Sequence, residues 1–186
     1  MLGWLERPCP RFPAHAVATR CLRVDSEALA AWLPRLGSVL YLPARATLTS
    51  AAAGAGWLCG APALVPLVSS PWWRVACTVD ACGPREWADC IDPDGRVLAR
   101  LHLLPDTDYC AWDALPGRSV RAGSRVSARL PLGFDRAHLL ALRVRALGGL
   151  KLLESTPASV SPLGRRLAHS IAGAQRLVEG EDALRV

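Results

Sequence analysis

The stretch that decides the fold is REWADCIDPDGRVLARLHLLPDTDYCAWDAL, residues Arg85–Leu115, in which a tight turn separates two strand-like segments. The turn is Asp92 to Gly95, with the order Asp-Pro-Asp-Gly. Proline sets φ at the second turn position, acidic side chains accept hydrogen bonds from nearby amides, and glycine tolerates positive φ. The sequence therefore predicts a β-hairpin at this place.

The segment after the turn alternates between two sets of side chains. The first set is Val97, Ala99, Leu101 and Leu103, and the second set is Leu98, Arg100 and His102. A period of two is typical of a strand with one covered face. Next, Thr107 or Asp106 is predicted to cap a short helix whose apolar residues recur every three positions, namely Tyr109, Trp112 and Leu115. That helix would pack against the sheet.

Further elements are predicted on both sides of the hairpin. A helix over residues 26–33 is predicted to open at Asp25 and Ser26, and residues 36–42 are predicted to be a turn that leads into a strand. Further strands are predicted at 63–68 and 74–79. Towards the C-terminus a helix is predicted over 134–147, capped by Asp135 and stopped by the glycine pair 148–149. A last helix is predicted to begin at Ser161-Pro162, because proline suits the first helical position.

These elements predict an α+β fold, a mainly antiparallel β-sheet with helices packed on it. Residues 1–18 are rich in proline and are expected to form a loosely structured arm. Residues 19–186 are expected to form a single α+β domain, with the sheet at about 36–130 and C-terminal helices at about 134–178. A chain of 186 residues is long enough to bury a core.

The cysteines argue against a zinc site and against a complete disulfide framework. Their number, seven, is odd, and no two of them form a C-x-x-C pair. We expect reduced, buried thiols that pack as small hydrophobes. The alternative is that one thiolate binds iron or takes part in redox chemistry.

The formal net charge of +6 comes almost wholly from arginine, because Lys151 is the only lysine. Arginine binds carboxylates and phosphates through two parallel hydrogen bonds, which suits an anionic ligand. The arginines are scattered, and no helix-turn-helix or zinc finger accompanies them, so no nucleic-acid partner is predicted. Neither a signal peptide nor an apolar run that could span a bilayer is recognisable, so we expect a cytoplasmic protein without an integral membrane segment.

Three segments, taken in order, resemble a known family. RCLRVDSEALAAWLPRLGSVLYLPAR, residues 20–45, is similar to its helix and L-G-x-V-x strand; PWWRVACTV, residues 71–79, is similar to a strand with a W-R pair. IDPDGRVLARLHLLPDTDYCAWDAL, residues 91–115, is similar to its D-x-x-G hairpin, strand and short helix. The family is that of the bacterial cytoplasmic hemin-transport and hemin-degrading proteins of the HemS/ChuX kind. The chain resembles a single-repeat form, or the amino-terminal half of a two-repeat member.

The resemblance implies a bound b-type heme. The family's D-T-H-x-F-F pattern, followed by L-x-R, falls on residues 135–140 and Arg143, which makes His138 the axial ligand to the iron. The W-R strand places Arg74 on the distal side of the ring or near the propionates. Each residue also has an alternative without heme. His138 would be a helix histidine at the surface of the sheet, and Arg74 would be paired with a surface carboxylate.

The other histidines are weaker candidates for the axial ligand. His102 lies on the arginine side of its predicted strand and is expected to be solvated, as is His169 on the last helix. His15 falls in the proline-rich arm. The tryptophans are expected to be core residues.

Three functions follow as hypotheses. The first is an intracellular heme carrier or storage protein in heme uptake and iron utilisation. The second is a heme-degrading enzyme of the same family, in which the heme itself carries the redox chemistry. The third is a diverged structural or interaction protein that binds no heme. A homodimer is also expected, because a single repeat exposes the face that two-repeat relatives would bury.

Overall fold

The computed structural model describes residues 15–45, 56–80, 83–119, 131 and 133–174. The strands are β1 His15–Arg23, β2 Ser38–Pro43, β3 Trp57–Cys59, β4 Trp72–Asp80, β5 Gly83–Ile91, β6 Val97–His102, β7 Arg118–Ser119, β8 His138–Leu147 and β9 Leu150–Pro157. The α-helices are α1 Ser26–Trp32, α2 Val65–Ser69, α3 Tyr109–Asp113 and α4 Pro162–Ala174. A 3₁₀ helix, Leu33–Leu36, follows α1 directly.

All of these strands belong to one sheet in the order β3-β9-β8-β2-β6-β5-β4-β1-β7. Every pairing is antiparallel except that of β3 with β9. The predicted hairpin is β5 and β6: the Gly95 amide donates to the Asp92 carbonyl at 3.0 Å, and Gly95 has a φ of 82°. The Asp92 carboxylate also accepts from the Arg96 amide at 2.8 Å. The predicted α+β class with a mainly antiparallel sheet is confirmed.

The two sides of the sheet are covered by different helices. The side that carries Tyr41, Trp73 and Leu101, here called the front face, packs against buried residues of α1, α2 and α3. The opposite side carries Leu40 and Leu42 and is here called the back face; it packs against α4. Both sides are therefore buried over the centre of the sheet, where the sequence predicted one covered face.

The segment 134–147 was predicted to be a helix, and this prediction is wrong, because residues 138–147 form strand β8. Its backbone pairs with β2 on one side and with β9 on the other. Gly148 and Gly149 have φ values of 55° and 84° and turn the chain into β9 instead of stopping a helix. Two positive φ angles in succession match the tight hairpin turn that twisted strands prefer. Leucines recur in β8 at spacings that fit a helix as well as a strand buried on both sides.

Two other predictions also need correction. Residues 63–68 were predicted to be a strand, but they form a 3₁₀ turn and α2, with prolines near the start of each. A short, wholly apolar run carries no periodicity that separates helix from strand. The predicted arm, 1–18, includes residues 15–18, which belong to β1 and pair with β4. Residues 1–14 and 175–186, and the end of the predicted sheet region at 120–130, lie outside the described residues.

The short helix after the hairpin is capped by a different residue from the two that were predicted. Asp108 caps α3, since its carboxylate accepts from the Ala111 amide at 2.9 Å. Thr107 instead donates to the Ser38 carbonyl at 2.6 Å and accepts from a neighbouring amide. Asp106 accepts from the amide of Ser161 at 2.7 Å. Asp106 thereby ties the predicted start of α4 to the end of the hairpin strand.

Candidate functional site

A buried ion-pair cluster lies on the back face where β4, β5 and β6 run side by side. Asp89 is in register with Arg74 on one side and with Arg100 on the other. One Asp89 oxygen accepts from Arg74 Nη2 at 2.6 Å and from its Nε at 3.1 Å. The other oxygen accepts from Arg100 Nε at 2.6 Å. A single carboxylate with no exposed surface is thus shared by two guanidinium groups.

Arg100 contacts two aromatic rings as well as Asp89. Its guanidinium carbon lies 5.0 Å from the ring centre of Trp87 and 5.3 Å from that of Phe134. Both distances are within the range of cation–π attraction, an interaction that arginine makes more often than lysine. Arg74 is less enclosed, with a quarter of its side chain exposed. Arg74 is therefore paired with a carboxylate, as one of the two sequence alternatives proposed. That carboxylate, Asp89, is buried and does not lie on the surface.

His102 was expected to be solvated, and this prediction is wrong. Only 4% of the residue is exposed, and it lies on the back face, the side of the sheet on which α4 packs. It lies directly across from Trp87, with 6.1 Å between the ring centres. Neither ring nitrogen of His102 has a hydrogen-bond partner among the described residues. Burial lowers its pKa well below the ordinary value, and the positive charges of Arg100 and Arg85 lower it further.

His138, the predicted iron ligand, is the first residue of β8 and is in register with Tyr41 of β2. It alternates with Leu139 of the back-face core, so its side chain belongs to the front face, and it is half-buried. Burial lowers the pKa of His138, and Arg136 lowers it further, while Asp135 acts in the opposite direction. The imidazole is therefore neutral around pH 7, which is the form that binds a metal ion.

The structure does not bring His138 and Arg74 together. His138 belongs to the front face and Arg74 to the back face. In the strand order, β8 and β4 are separated by β2, β6 and β5. Four strand spacings of about 4.8 Å place the two backbones about 19 Å apart across the sheet. One ligand cannot contact both side chains.

The described thiols are all free, but only Cys90 is fully buried. Burial raises the pKa of Cys90 well above its ordinary value, raises that of Cys59 to about 11 and also raises that of Cys21. These three thiols are protonated at neutral pH and are poor metal ligands and nucleophiles. Cys110 is exposed, against the expectation of buried thiols. Cys9 and Cys82 lie outside the described residues.

Within the part of the chain that the structure describes, no three His, Cys, Asp or Glu side chains cluster as metal ligands. His169 is exposed on α4, as predicted, and the side chain of His15 is not among those described. A bare metal ion held by several side chains is therefore not supported by the described residues. Heme iron is different, because the porphyrin supplies four ligands and the protein needs to supply only one or two.

No protein-family model matches the chain, and searches of curated proteins and of solved structures found no match either. The resemblance to hemin-handling proteins, with the heme, homodimer and cytoplasmic location that it implies, therefore stays a prediction. None of the helices in the described ranges is long and apolar enough to cross a membrane.

The sequence did not predict the cluster of Asp89, Arg100, His102 and Trp87. The hairpin carries an acidic residue before its turn and a basic residue after it, a pattern that allows an ion pair between the strands. Asp89 lies opposite Arg100, and Trp87 opposite His102, because the register shifts by one residue between Cys90 and Ile91, and the sequence did not predict this shift. Opposite charges at facing positions of a hairpin are a common stabilising pair. The burial of this cluster could not be inferred in the same way, since it depends on the segments that pack on the back face.

We expect the stability of the protein to fall as the pH is lowered from 7 to 5. The unfolded chain binds a proton at His102 below about pH 6.5, whereas the folded chain, with its lowered pKa, does not. The stability that His102 contributes is therefore complete above about pH 6.5 and is lost progressively as the pH falls below it. His138, whose pKa is also lowered, acts in the same direction.

Urea denaturation at a series of pH values measures this dependence. The variant His102→Leu should have a clearly shallower slope between pH 6.5 and 5 than the wild type. The control is Val79→Ala, which changes a side chain that is 51% exposed and has no titratable group, and which should leave the slope unchanged. Equal slopes in His102→Leu and the wild type would show that His102 is not the group responsible.

Proposed function

We propose that this protein binds heme through a single histidine and serves as a carrier or storage protein in heme uptake. The observation that carries the proposal is the state of His138, a half-buried, neutral imidazole fixed at the start of a central strand. Such an imidazole fits the role of an axial ligand, because the neutral nitrogen lone pair binds iron. Bound heme would supply the iron and the porphyrin ring, and His138 would supply a ligand to the iron from the start of β8.

Arg74 has no place in this proposed site. Its guanidinium is engaged by Asp89 and lies on the back face, away from His138. A single protein ligand to the iron, His138, is consistent with the positions of His138 and Arg74 on opposite faces of the sheet. The heme propionates would then need a different basic residue. Arg136 is a candidate, because it is exposed and lies just before β8, next to Asp135.

We expect hemin to produce a saturable shift of the Soret band when it is added to the purified protein. His138→Ala should abolish the shift or weaken binding by more than about tenfold, a change of about 1.4 kcal/mol. His169→Ala is the matched control, because it removes an exposed histidine and should bind hemin as the wild type does. Circular dichroism of each variant checks that the fold is retained.

Two results would contradict the proposal at different levels. The absence of a saturable shift in the wild type would exclude heme binding and favour a structural or interaction protein. A shift that is the same in His138→Ala and in the wild type would exclude His138 as the ligand while retaining heme. The homodimer stays a prediction, which light scattering can test against the chain mass of 19.9 kDa.

A further inference from the structure

Two adjacent polar groups on the back face are buried without partners. The indole nitrogen of Trp87 and both ring nitrogens of His102 have no hydrogen bond among the described residues. The two residues face each other on β5 and β6, with ring centres 6.1 Å apart and planes inclined by 42°. Buried polar groups without partners are uncommon in native proteins, and each one calls for an explanation.

The chemistry of these groups restricts what the missing partner can be. A tryptophan indole can only donate a hydrogen bond, and a neutral histidine always carries one N–H donor. His102 is neutral at physiological pH because its pKa is lowered. A partner that satisfies Trp87 and the N–H of His102 together must therefore accept at least two hydrogen bonds.

The charge around these donors favours a negative partner. The guanidinium of Arg100 lies 5.0 Å from the ring centre of Trp87 and contacts Asp89 through Nε and Nη2. Arg74 shares the same carboxylate, so these three side chains carry a net positive charge. An anion placed beside Trp87 and His102 would be attracted by this charge in surroundings of low polarity.

Helix α4 lies on the same face of the sheet. Residues Ala168, Ile171 and Ala172 of this helix pack on the back face, and Ser170 accepts a hydrogen bond from Arg85 of β5 at 3.2 Å. Because only 4% of His102 is exposed, a partner at its ring N–H must be enclosed by the protein, which favours a small ligand over a large one.

We propose that the back face binds a small carboxylate, of the size of formate or acetate, between β5, β6 and α4. The carboxylate accepts hydrogen bonds from the indole N–H of Trp87 and the ring N–H of His102, next to the guanidinium of Arg100. This site is independent of the proposed heme ligand, since His138 belongs to the other face of the sheet.

The first test is a titration of the ¹⁵N-labelled wild-type protein with sodium formate, exchanged for chloride at constant ionic strength. The indole N–H resonance of Trp87 should move and reach saturation. The indole of Trp73 is the internal control, because it is also buried without a partner but lies on the front face. A Trp87 resonance that moves linearly or not at all, as expected if water occupies the position, would overturn the proposal.

The second test uses thermal unfolding with formate in place of chloride. Formate should raise the midpoint temperature of the wild type and of Trp73→Phe. Trp87→Phe keeps the ring but removes the donor, and it should weaken formate binding by about 10- to 100-fold, the usual effect of losing a hydrogen bond to a charged group. An equal temperature rise in Trp87→Phe and in the wild type would contradict the proposed site.

Discussion

Replacing Asp89 by asparagine is expected to lower the free energy of unfolding by about 3–5 kcal/mol. The carboxylate has no exposed surface and is shared by Arg74 and Arg100 at 2.6 Å each. Asparagine keeps the shape of the side chain but removes the charge, which leaves Arg100 buried beside two aromatic rings without a counter-ion. A buried cation without a partner costs far more than the loss of an exposed ion pair.

Urea denaturation followed by circular dichroism measures this change. The matched control is Asp94→Asn in the turn of the same hairpin, whose contact with Arg96 is 3.7 Å long and largely exposed. Asp94→Asn should change the stability by less than about 1 kcal/mol. If Asp89→Asn were as mild as this control, the cluster would not be the buried ion pair described here.

The second large effect is expected at Trp73, which is fully buried in the front-face core. Trp73→Ala should cost about 3–5 kcal/mol, because it removes a large apolar side chain and leaves a cavity that its neighbours cannot fill. The ring also meets Trp32 edge to face at 5.6 Å, a geometry that adds stability beyond burial. Trp32 cannot move easily into the space, since its indole nitrogen donates to the Ala111 carbonyl at 2.5 Å.

The same denaturation experiment tests this prediction, with Val79→Ala as the control on the same strand. Val79 is 51% exposed, so shortening it should change the stability by less than about 0.5 kcal/mol. A similar small effect in Trp73→Ala would mean that the front-face core does not depend on the contact between the two tryptophans.

Local features of the fold were predictable where a few neighbouring residues decide the conformation. The turn at Asp92 to Gly95, the cap at Asp25 and the start of α4 at Ser161 all depend on side chains that bond to nearby backbone atoms. Such interactions act within three or four residues, so they can be recognised in the sequence. The α+β class followed from the order of these elements.

Features that depend on distant residues were not predictable in this way. The leucines of residues 138–147 fit either a helix or a strand, and the pairing of β8 with both β2 and β9 decided between them. His102 alternates with apolar residues as a solvated strand residue would, but it is buried on the back face, the side of the sheet on which α4 packs. The sequence alone could not show that His138 and Arg74 belong to opposite faces of the sheet, because this depends on the register of every strand between them.

The sequence by itself determined where the hairpin turns, where helices α1 and α4 begin and how side chains alternate along the central hairpin. Only the tertiary structure decided that both sides of the sheet are covered, and which helices cover each side. It placed one carboxylate, Asp89, between two arginines, and it enclosed His102 without a hydrogen-bond partner among the described residues. The physical reason is that alternation is a local property of a strand, whereas burial and charge pairing depend on the segments that pack against it.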